Sequence, residues 1–507
     1  PGGILFSIGG GKPFTIYKGE KSFATAFLRP MESGIYKICA IRHDHEMTWK
    51  EYVLSLLAFN LFGLIILFLL QITQGYLPLN PEKLPGVRWD TALNAAISFV
   101  TNTNWQSYGG ETTMSYFTQM TGLTVQNFVS AATGIAVMLA VVRGIMRKNA
   151  NTLGNFWVDL TRAIVYVLLP LSIITALILV GSGVVQTLSS SIAATTLEGA
   201  NQKIAVGPVA SQIAIKQFGT NGGGFFNANS SHPFENPNTI SNFIENFSIL
   251  FLPVSLIFMF GFMIKNRKQA IAILAAMTIL FTAGLCLSIT GETLGNPALA
   301  SRGIESTMME GKEVRFGPVK SALWGASTTA TSNGSVNSMH DSGSPLAAFV
   351  YLFNIGIGEV VFGGVGVGFI GILFYIILTM FITGLMVGRT PEFLGKKLGP
   401  REMVYSLIAI ILPSIGLLIL SGITAVNSLP GGFLRGALNN YGPHGLSEIL
   451  YAYASGFGNN GSAFAGFGAN TIYFNLTIGF AMIVGRYATI IPALAIAGSL
   501  AAKKTIY

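Results

Sequence analysis

Eight stretches of this chain are apolar for long enough to cross a lipid bilayer, which restricts its fold more than any other feature. They cover residues 53–73, 124–142, 163–182, 247–264, 270–290, 346–387, 403–424 and 472–499. A helix needs ~20 apolar residues to span a hydrocarbon core of ~30 Å. Within lipid every backbone polar group must be paired inside the protein, so spanning segments are helices or closed barrels. Only 10% of the 507 residues are charged, against about a quarter in a soluble domain. The expected class is an all-α polytopic membrane protein. The sixth stretch is too long for one crossing and is interrupted by glycines over 356–368, which predicts a broken helix.

The formal net charge is +9, and its placement reports topology. Arg143, Arg147 and Lys148; Lys265, Arg267 and Lys268; Arg389, Lys396 and Lys397; and Lys503 and Lys504 all follow apolar runs. By the positive-inside rule these ends are cytoplasmic. No soluble domain gathers the basic residues, so the charge gives no reason to expect a nucleic-acid partner. An even number of crossings places both the polar start around residues 42–50 and the basic end at Lys503 and Lys504 in the cytoplasm. Cys39 and Cys286 have neither metal-type spacing nor a disulfide framework. Residues 1–10 lack the basic start and small-residue cleavage site of a signal peptide.

The loops between the spans carry a repeated pattern: span, outer loop, proline-started short helix, small polar loop, span, basic end. After Pro85 and Gly86 a short helical stretch ends in Val100, Thr101, Asn102, Thr103 and Asn104. Gly207 and Pro208 lead to Gly219, Thr220 and Asn221 and then three glycines; Gly317 and Pro318 lead to Thr331, Ser332, Asn333, Gly334 and Ser335. Gly442 and Pro443 lead to Gly458, Asn459, Asn460, Gly461 and Ser462. Asn102, Gly222, Gly334 and Gly461 lie 120, 112 and 127 residues apart. Proline suits a helix start because its missing N–H would be unpaired there anyway. Helices of about 10–15 residues cannot cross the bilayer, so each must be re-entrant, and irregular backbone at that depth must be buried in protein or line a water-filled path. One Gly/Asn/Ser cluster ordinarily marks an extramembrane turn, but four in matched context argue for a repeat architecture.

Four such loops are expected to form four walls around one pseudo-fourfold pore. Each short helix would turn its C-terminal carbonyl end, worth roughly −0.5 charge, toward the centre. The loops have little side chain, so their carbonyl oxygens can replace an ion's water shell, and glycine permits the φ values that align them. Thr101, Thr103, Asn102, Ser332, Asn333 and Asn460 can add neutral oxygens or brace the loops. The acids Glu111, Glu235, Asp341 and Glu448 only flank them. Mg²⁺ and Ca²⁺ favour carboxylates, so a neutral cage points to a large monovalent cation, K⁺.

Five strings then carry a specific resemblance: SFVTNTNWQ at 98–106, GTNGGGFFNANSSHPFEN at 219–236, GEVVFGGVG at 358–366, VGRTPE at 387–392 and NNGSAFAG at 459–466. The chain resembles the family of potassium-binding A subunits of the Kdp potassium-transporting P-type ATPase, from about Trp49 to Lys504, within a superfamily of K⁺ transporters with four pore repeats. The resemblance implies a K⁺-binding subunit of an ATP-driven uptake complex in a bacterial or archaeal inner membrane. A separate ATP-hydrolysing P-type subunit and two smaller membrane subunits would be its partners, together with the bilayer. No cofactor is implied, and K⁺ is the transported ligand and the only metal. Carried over by position, the filters fall on Thr101, Asn102, Thr103 and Asn104; Asn221, Gly222, Gly223 and Gly224; Ser332, Asn333, Gly334 and Ser335; and Asn459, Asn460, Gly461 and Ser462. Gln106 would line the outer mouth. The resemblance makes the break a gating loop through Gly363, Gly364, Gly366 and Gly368. The family has ten spans, whereas eight are read here, so a first span before Trp49 and a last one after Lys504 are expected to be lacking.

The sequence agrees that the motor lies elsewhere: it contains neither an Asp-Lys-Thr-Gly phosphorylation motif nor a Gly-x4-Gly-Lys-Ser/Thr loop. No catalytic residue is assigned. Gly366, Gly368 and Gly371 match a dinucleotide fingerprint formally but lie in an apolar span with no strand before them. Arg486 falls midway along the last span, where an arginine costs roughly 2.5–3.5 kcal/mol and needs a water path or a partner. It is assigned to the gate as a fixed charge that repels cations on the direct path. Glu359 is a candidate gate partner for Arg486 or Arg389, although Arg389 also reads as a snorkelling topology charge. His43 and His45 have no further ligands nearby for a metal. The expected organisation is a cytoplasmic segment over 1–48, then pore repeats over 49–150, 151–268, 269–400 and 401–507. The competing readings are a stand-alone K⁺ channel or gradient-coupled symporter of the same architecture, and a secondary carrier for small organic solutes built from two inverted repeats. The second fits poorly with four repeats in one orientation.

Overall fold

The computed structural model describes residues 23–295, 300–303 and 308–504. The first 22 residues of the expected 1–48 segment, and the signal-peptide reading at 1–10, therefore lie outside the described residues. Eight helices among those described are long and apolar enough to cross a membrane. In chain order with the shorter helices, they are α1 (Phe23–Ile38), α2 (Trp49–Thr73), α3 (Trp89–Val100), α4 (Thr118–Met146), α5 (Phe156–Gly181), α6 (Val209–Phe218) and α7 (Thr239–Met263). There follow α8 (Arg267–Leu294), α9 (Gly317–Ala330), α10 (Pro345–Gly356), α11 (Val367–Met386), α12 (Pro400–Asn427), α13 (Pro443–Gly458) and α14 (Ile472–Ala502). The spans α2, α4, α5, α7, α8, α11, α12 and α14 match the eight expected.

Local chemistry explains where these elements begin. A reciprocal capping box starts α2: the Glu51 carboxylate accepts from Thr48 N at 2.7 Å, and Thr48 Oγ1 accepts from Glu51 N. Pro318 and Pro443 occupy the first turns of α9 and α13, as the missing-donor argument expects. Pro208 instead sits at the residue just before α6. The start of α3 has no proline; Asp90 lies in its first turn and pairs with Arg88, an acid placed where the helix dipole favours it.

The spans sort into two layers. In the most apolar stretches of α4, α7 and α14, 83%, 67% and 67% of residues are buried, against 17%, 17% and 11% for α2, α8 and α12. The first group forms the inner wall and the second lies on the outside of the bundle. Repeat three departs from this scheme. Its inner span is split into α10 and α11, joined by an irregular stretch over 357–366, and only 28% of the α11 stretch is buried. The break expected over 356–368 therefore coincides with the structural one. On the basic face, α1 is tied to α5 by Glu32, which accepts from Arg162 Nε at 2.8 Å and from Tyr166 at 2.6 Å. The largest core cluster lies between α4, α7, α11 and α14, below the four short helices α3, α6, α9 and α13.

Candidate functional site

One hydrogen bond recurs in all four loops and fixes their register. Thr103 N donates to Ser98 O at 2.9 Å, Asn221 N to Lys216 O at 2.9 Å, Asn333 N to Thr328 O at 3.1 Å and Asn460 N to Ser455 O at 2.9 Å. Each closes the end of a re-entrant helix with the same five-residue step. The residues on either side have positive φ in every loop: Asn102, Thr220, Ser332 and Asn459 before, and Asn104, Gly222, Gly334 and Gly461 after. Left-handed backbone is costly for most side chains. Its recurrence at eight equivalent places shows a backbone shape that the surroundings impose.

The loops close into a ring. A β-carbon on Gly222 would collide with the carbonyl oxygen of Asn333, one on Gly334 with that of Asn460, and one on Gly461 with that of Thr103. Loop two thus abuts loop three, three abuts four, and four abuts one. The remaining junction is built from asparagine: Asn102 Nδ2 donates to Thr220 O and Asn104 Nδ2 to Gly222 O, both at 3.0 Å. Side chains add further ties, from Asn333 Nδ2 to Lys216 O, from Asn460 Nδ2 to Thr328 O and from Ser332 Oγ to Asn459 O. In loops three and four the asparagine Oδ1 also accepts from the amide of the serine two residues on, Ser335 at 2.9 Å and Ser462 at 3.0 Å. A backbone ring held this way can present carbonyl oxygens to a dehydrated cation without reorganising.

The outer rim is equally tied. Gln106 holds both backbone groups of Gly224, accepting from N at 2.9 Å and donating to O at 3.0 Å. Gly223 packs against Asn104 O. The flanking acids are engaged elsewhere. Glu111 accepts from Asn227 N, Glu448 from Asn439 N and Asn440 N, and Asp341 contacts His444 Nε2 at 2.7 Å. Glu235 bridges Phe226 N and the buried Lys216 Nζ, the latter at 2.6 Å. The cage is thus built of neutral groups.

Sequence reasoning missed two residues here. Thr220 is the left-handed residue that matches Asn102, yet the expected second filter begins one residue later, at Asn221. Lys216, the cation in the last turn of α6, backs the second loop. It was the one signal available, a lone lysine in an otherwise neutral re-entrant helix.

Beneath the ring lies a cavity of about 110 Å³ lined by Asn102, Ser332, Glu359, Gly364, Asn459 and Arg486, among others. The broken stretch forms much of its wall. Gly363 N donates to Ala330 O at the end of α9, and Val365 N to Thr220 Oγ1 at 2.9 Å. Gly366 meets the Gly134 carbonyl of α4, and Gly363 lies against the Gly368 backbone, so closely that a β-carbon fits at neither. Glu359 is buried, accepts from Asn460 Nδ2 at 2.5 Å through Oε1, and has the Ser332 hydroxyl as a second polar neighbour. Arg486 is buried, donates from Nη2 to Ser130 O at 3.1 Å, and leaves Nε without a partner. The two charged groups share a cavity but form no ion pair among the described residues. Arg389 is exposed beyond the end of α11 and is absent from the cavity lining. The geometry therefore brings Glu359 to the underside of the ring and to Arg486's cavity, and leaves Arg389 apart.

The same architecture recurs in a solved structure, the potassium transporter TrkH from Vibrio parahaemolyticus, with a TM-score of 0.53 at 14% identity over 94% of this chain and 92% of that one. Much nearer in sequence are the potassium-transporting ATPase potassium-binding subunits of Pseudomonas putida and Pseudomonas aeruginosa. The first is 54% identical over 493 residues, covering 97% of this chain and 87% of that protein; the second is 55% identical over 492 residues, covering 97% and 86%. The counterpart from Leptospira interrogans is 54% identical over 93% of this chain and 84% of its own length. The family model described as KdpA, potassium-transporting ATPase A subunit, matches residues 5–507, and the chain belongs to that family.

Proposed function

We propose that this chain is the potassium-binding and translocating subunit of an ATP-driven K⁺ uptake complex, and that its four filter loops select K⁺ through backbone carbonyls. The observation that carries the reading is the closed ring, in which every loop repeats one hydrogen bond and one left-handed pattern. A neutral, prebuilt cage suits an ion that gives up its water readily and disfavours ions that need carboxylates. The names of the relatives support K⁺ as that ion and an ATPase complex as the setting.

On this reading the filter residues are those expected from the sequence, joined by Thr220, and Gln106 sets the outer mouth. The segment with Gly363, Gly364, Gly366 and Gly368 is the gate beneath them. Arg486 opposes cation passage straight down the bundle, and Glu359 offers the ion a negative group just below the filter. The cavity also reaches Tyr375 of α11 and Ala409, Pro413 and Ser414 of α12, a sideways direction that suits delivery to a separate ATP-hydrolysing subunit. Small membrane subunits complete the complex, in the plasma membrane of a prokaryote, with the basic face cytoplasmic. The pore repeats would run over 49–150, 151–268, 269–400 and 401–507.

The test is K⁺ uptake into proteoliposomes. Uptake should require both ATP and the hydrolysing subunit, with K⁺ favoured over Na⁺. Gradient-driven K⁺ uptake by this chain alone would overturn the reading in favour of a channel or symporter.

A further inference from the structure

The cavity under the filter does not end at Arg486. Phe374 of α11 lines it and also lines a second, smaller cavity of about 20 Å³ further toward the basic face. Arg486 and Thr489 of α14 face the first cavity, and Ala493, Ile496 and Leu500, on successive turns of the same helix, face the second. Val141 of α4 and Leu373 of α11 close its other sides. The two cavities thus lie in series along α11 and α14, between the filter and the basic face. The second has room for about one water but only apolar residues in its lining, and a water needs polar partners to stay.

The floor of this dry section is a short hairpin. Residues Glu392–Phe393 and Lys396–Lys397 pair antiparallel, with Phe393 directly opposite Lys396. Leu394 and Gly395 between them both have positive φ, the two-residue turn whose twist suits a tight hairpin. Residues directly opposite in an antiparallel pair project to the same face. Phe393, 5% exposed, lines the dry cavity from the hairpin side. Lys396, 1% exposed, donates from Nζ to three backbone carbonyls: Arg147 O at 2.5 Å, Leu500 O at 3.0 Å and Lys503 O at 2.7 Å. Those carbonyls come from the C-terminal ends of α4 and α14, where orphan oxygens and the helix dipoles attract positive charge. Three carbonyls converging on one point resemble a cation site, filled here by a tethered ammonium. A second lysine secures the arrangement, since Lys503 Nζ reaches Glu402 at 2.8 Å and Lys397 O at 2.8 Å.

We propose that the hairpin over 392–397 is a two-pronged plug that seals the cytoplasmic end of the axial path, in series with Arg486. Phe393 keeps the passage dry, and an apolar constriction without water is a barrier to ions. Lys396 occupies the carbonyl cluster through which a cation would leave, and it locks α4 to α14. The hairpin directly follows α11, the helix after the gate, so the same segment that borders the filter cavity also carries its lower seal. Ions that pass the filter are thereby denied the direct exit and held for the ATP-driven route.

This inference rests on the proposed function, and the assay separates the two: ATP-driven uptake by the unmodified complex tests the function, whereas passive efflux without ATP tests the plug. With two barriers in series, opening one leaves the other. Arg486→Met alone should therefore remain nearly tight, and Arg486→Met with Lys396→Met should raise passive K⁺ efflux from proteoliposomes about tenfold, the effect of ~1.4 kcal/mol of lost barrier. The leak should still prefer K⁺ to Na⁺, because it passes the filter. Lys396→Cys in the same background provides a second measurement: 2-aminoethyl methanethiosulfonate rebuilds an ammonium and should restore tightness, whereas the neutral methyl reagent should not. Phe393→Ala in that background decides the matter if neither lysine variant assembles, again by a K⁺-selective leak. The plug is overturned if the doubly substituted complex assembles and stays tight, if Arg486→Met alone leaks as much as the double variant, or if the leak passes Na⁺ equally.

Discussion

The ring of four loops and the broken stretch below it are both rich in glycine, yet the glycines serve different ends. In the ring, Gly222, Gly334 and Gly461 each face a carbonyl of the neighbouring loop with no room for a β-carbon. In the break, Gly363, Gly366 and Gly368 are jammed in the same way, against backbone of their own segment or of α4, whereas Gly356 and Gly358 at its upper end face open space. The ring is wired on every side. The break is jammed against backbone at one end; at the other, around Gly356 and Gly358, it has open space, and its ties are side chains, Tyr375 Oη on Ile357 O and Asn460 Nδ2 on Glu359, which a swinging segment could exchange. Local stability differs across a structure in this way, and moving parts are drawn from its less constrained regions.

The contrast can be broken most forcefully at the ring. Gly222→Ala and Gly334→Ala place a methyl against the next loop's carbonyl, at φ values of +77° and +83°. Overpacking of this kind costs about 1–3 kcal/mol, and left-handed strain adds about 1–2 kcal/mol. Part of that cost falls on the carbonyls that would hold the ion. K⁺ affinity should fall roughly 100-fold, about 2.7 kcal/mol, and the preference over Rb⁺ and Na⁺ should shrink. Titration of K⁺-stimulated ATP hydrolysis in the complex measures both, and unaltered affinity in these variants would show that the ring does not hold the ion.

The cavity between the two regions offers a subtler pair of tests. Glu359→Gln retains an acceptor for Asn460 and removes only the negative charge; Arg486→Met removes only the positive one and one hydrogen bond to Ser130 O. If the ion passes this cavity, the first should weaken K⁺ affinity and the second should strengthen it, each by about tenfold. A charge several ångströms away at an effective dielectric near 20 supplies a few kcal/mol before screening by its surroundings. Shifts of the same sign, or none, would mean that these residues brace the helices without sensing the ion. Gln106→Ala should act more weakly, by about threefold: it removes both hydrogen bonds to Gly224, each worth about 1 kcal/mol, but they lie at the rim and the ring's own ties stay in place, so only a small part of that loss reaches the ion.

The spans and the four loops were legible because bilayer thickness and re-entrant geometry impose lengths and compositions that stand out along the chain. The interior of the loops was legible only in part. Glycine, and less strongly asparagine, signals a left-handed position in a sequence, which covers Asn102 and Asn459; Thr220 and Ser332 adopt the same φ because neighbouring groups hold them there, and no single-residue preference reports that. Thr220 escaped for this reason. Lys216 escaped because its partner, Glu235, lies nineteen residues on, across the rim. Pairings such as Lys396 with the carbonyls of Arg147 and Leu500 join residues more than a hundred apart and are set by how helices converge. The polar 1–48 segment gave no sign of α1, whose Glu32 finds Arg162 only in the folded chain.

The smallest effect is expected at the free end of the break, and it separates a hinge from a mere gap. Gly356 ends α10, has no other group within 4 Å of where a β-carbon would stand, and is not among the glycines with positive φ. Alanine there meets neither a clash nor left-handed strain. It should stabilise the last turn of α10 by roughly 0.5–1 kcal/mol, the ordinary helix preference of alanine over glycine. K⁺ affinity should not change, because Gly356 touches no part of the ring. If the upper end of the break is where the gate pivots, stiffening it should slow turnover about twofold, roughly 0.4 kcal/mol on the barrier. Gly358→Ala should act in the same direction but more strongly, since its φ of +84° adds left-handed strain to the loss of freedom. The two outcomes that matter are distinct: slower turnover at constant affinity marks a hinge, whereas unchanged turnover in both variants marks a gap in the packing that the gate does not use.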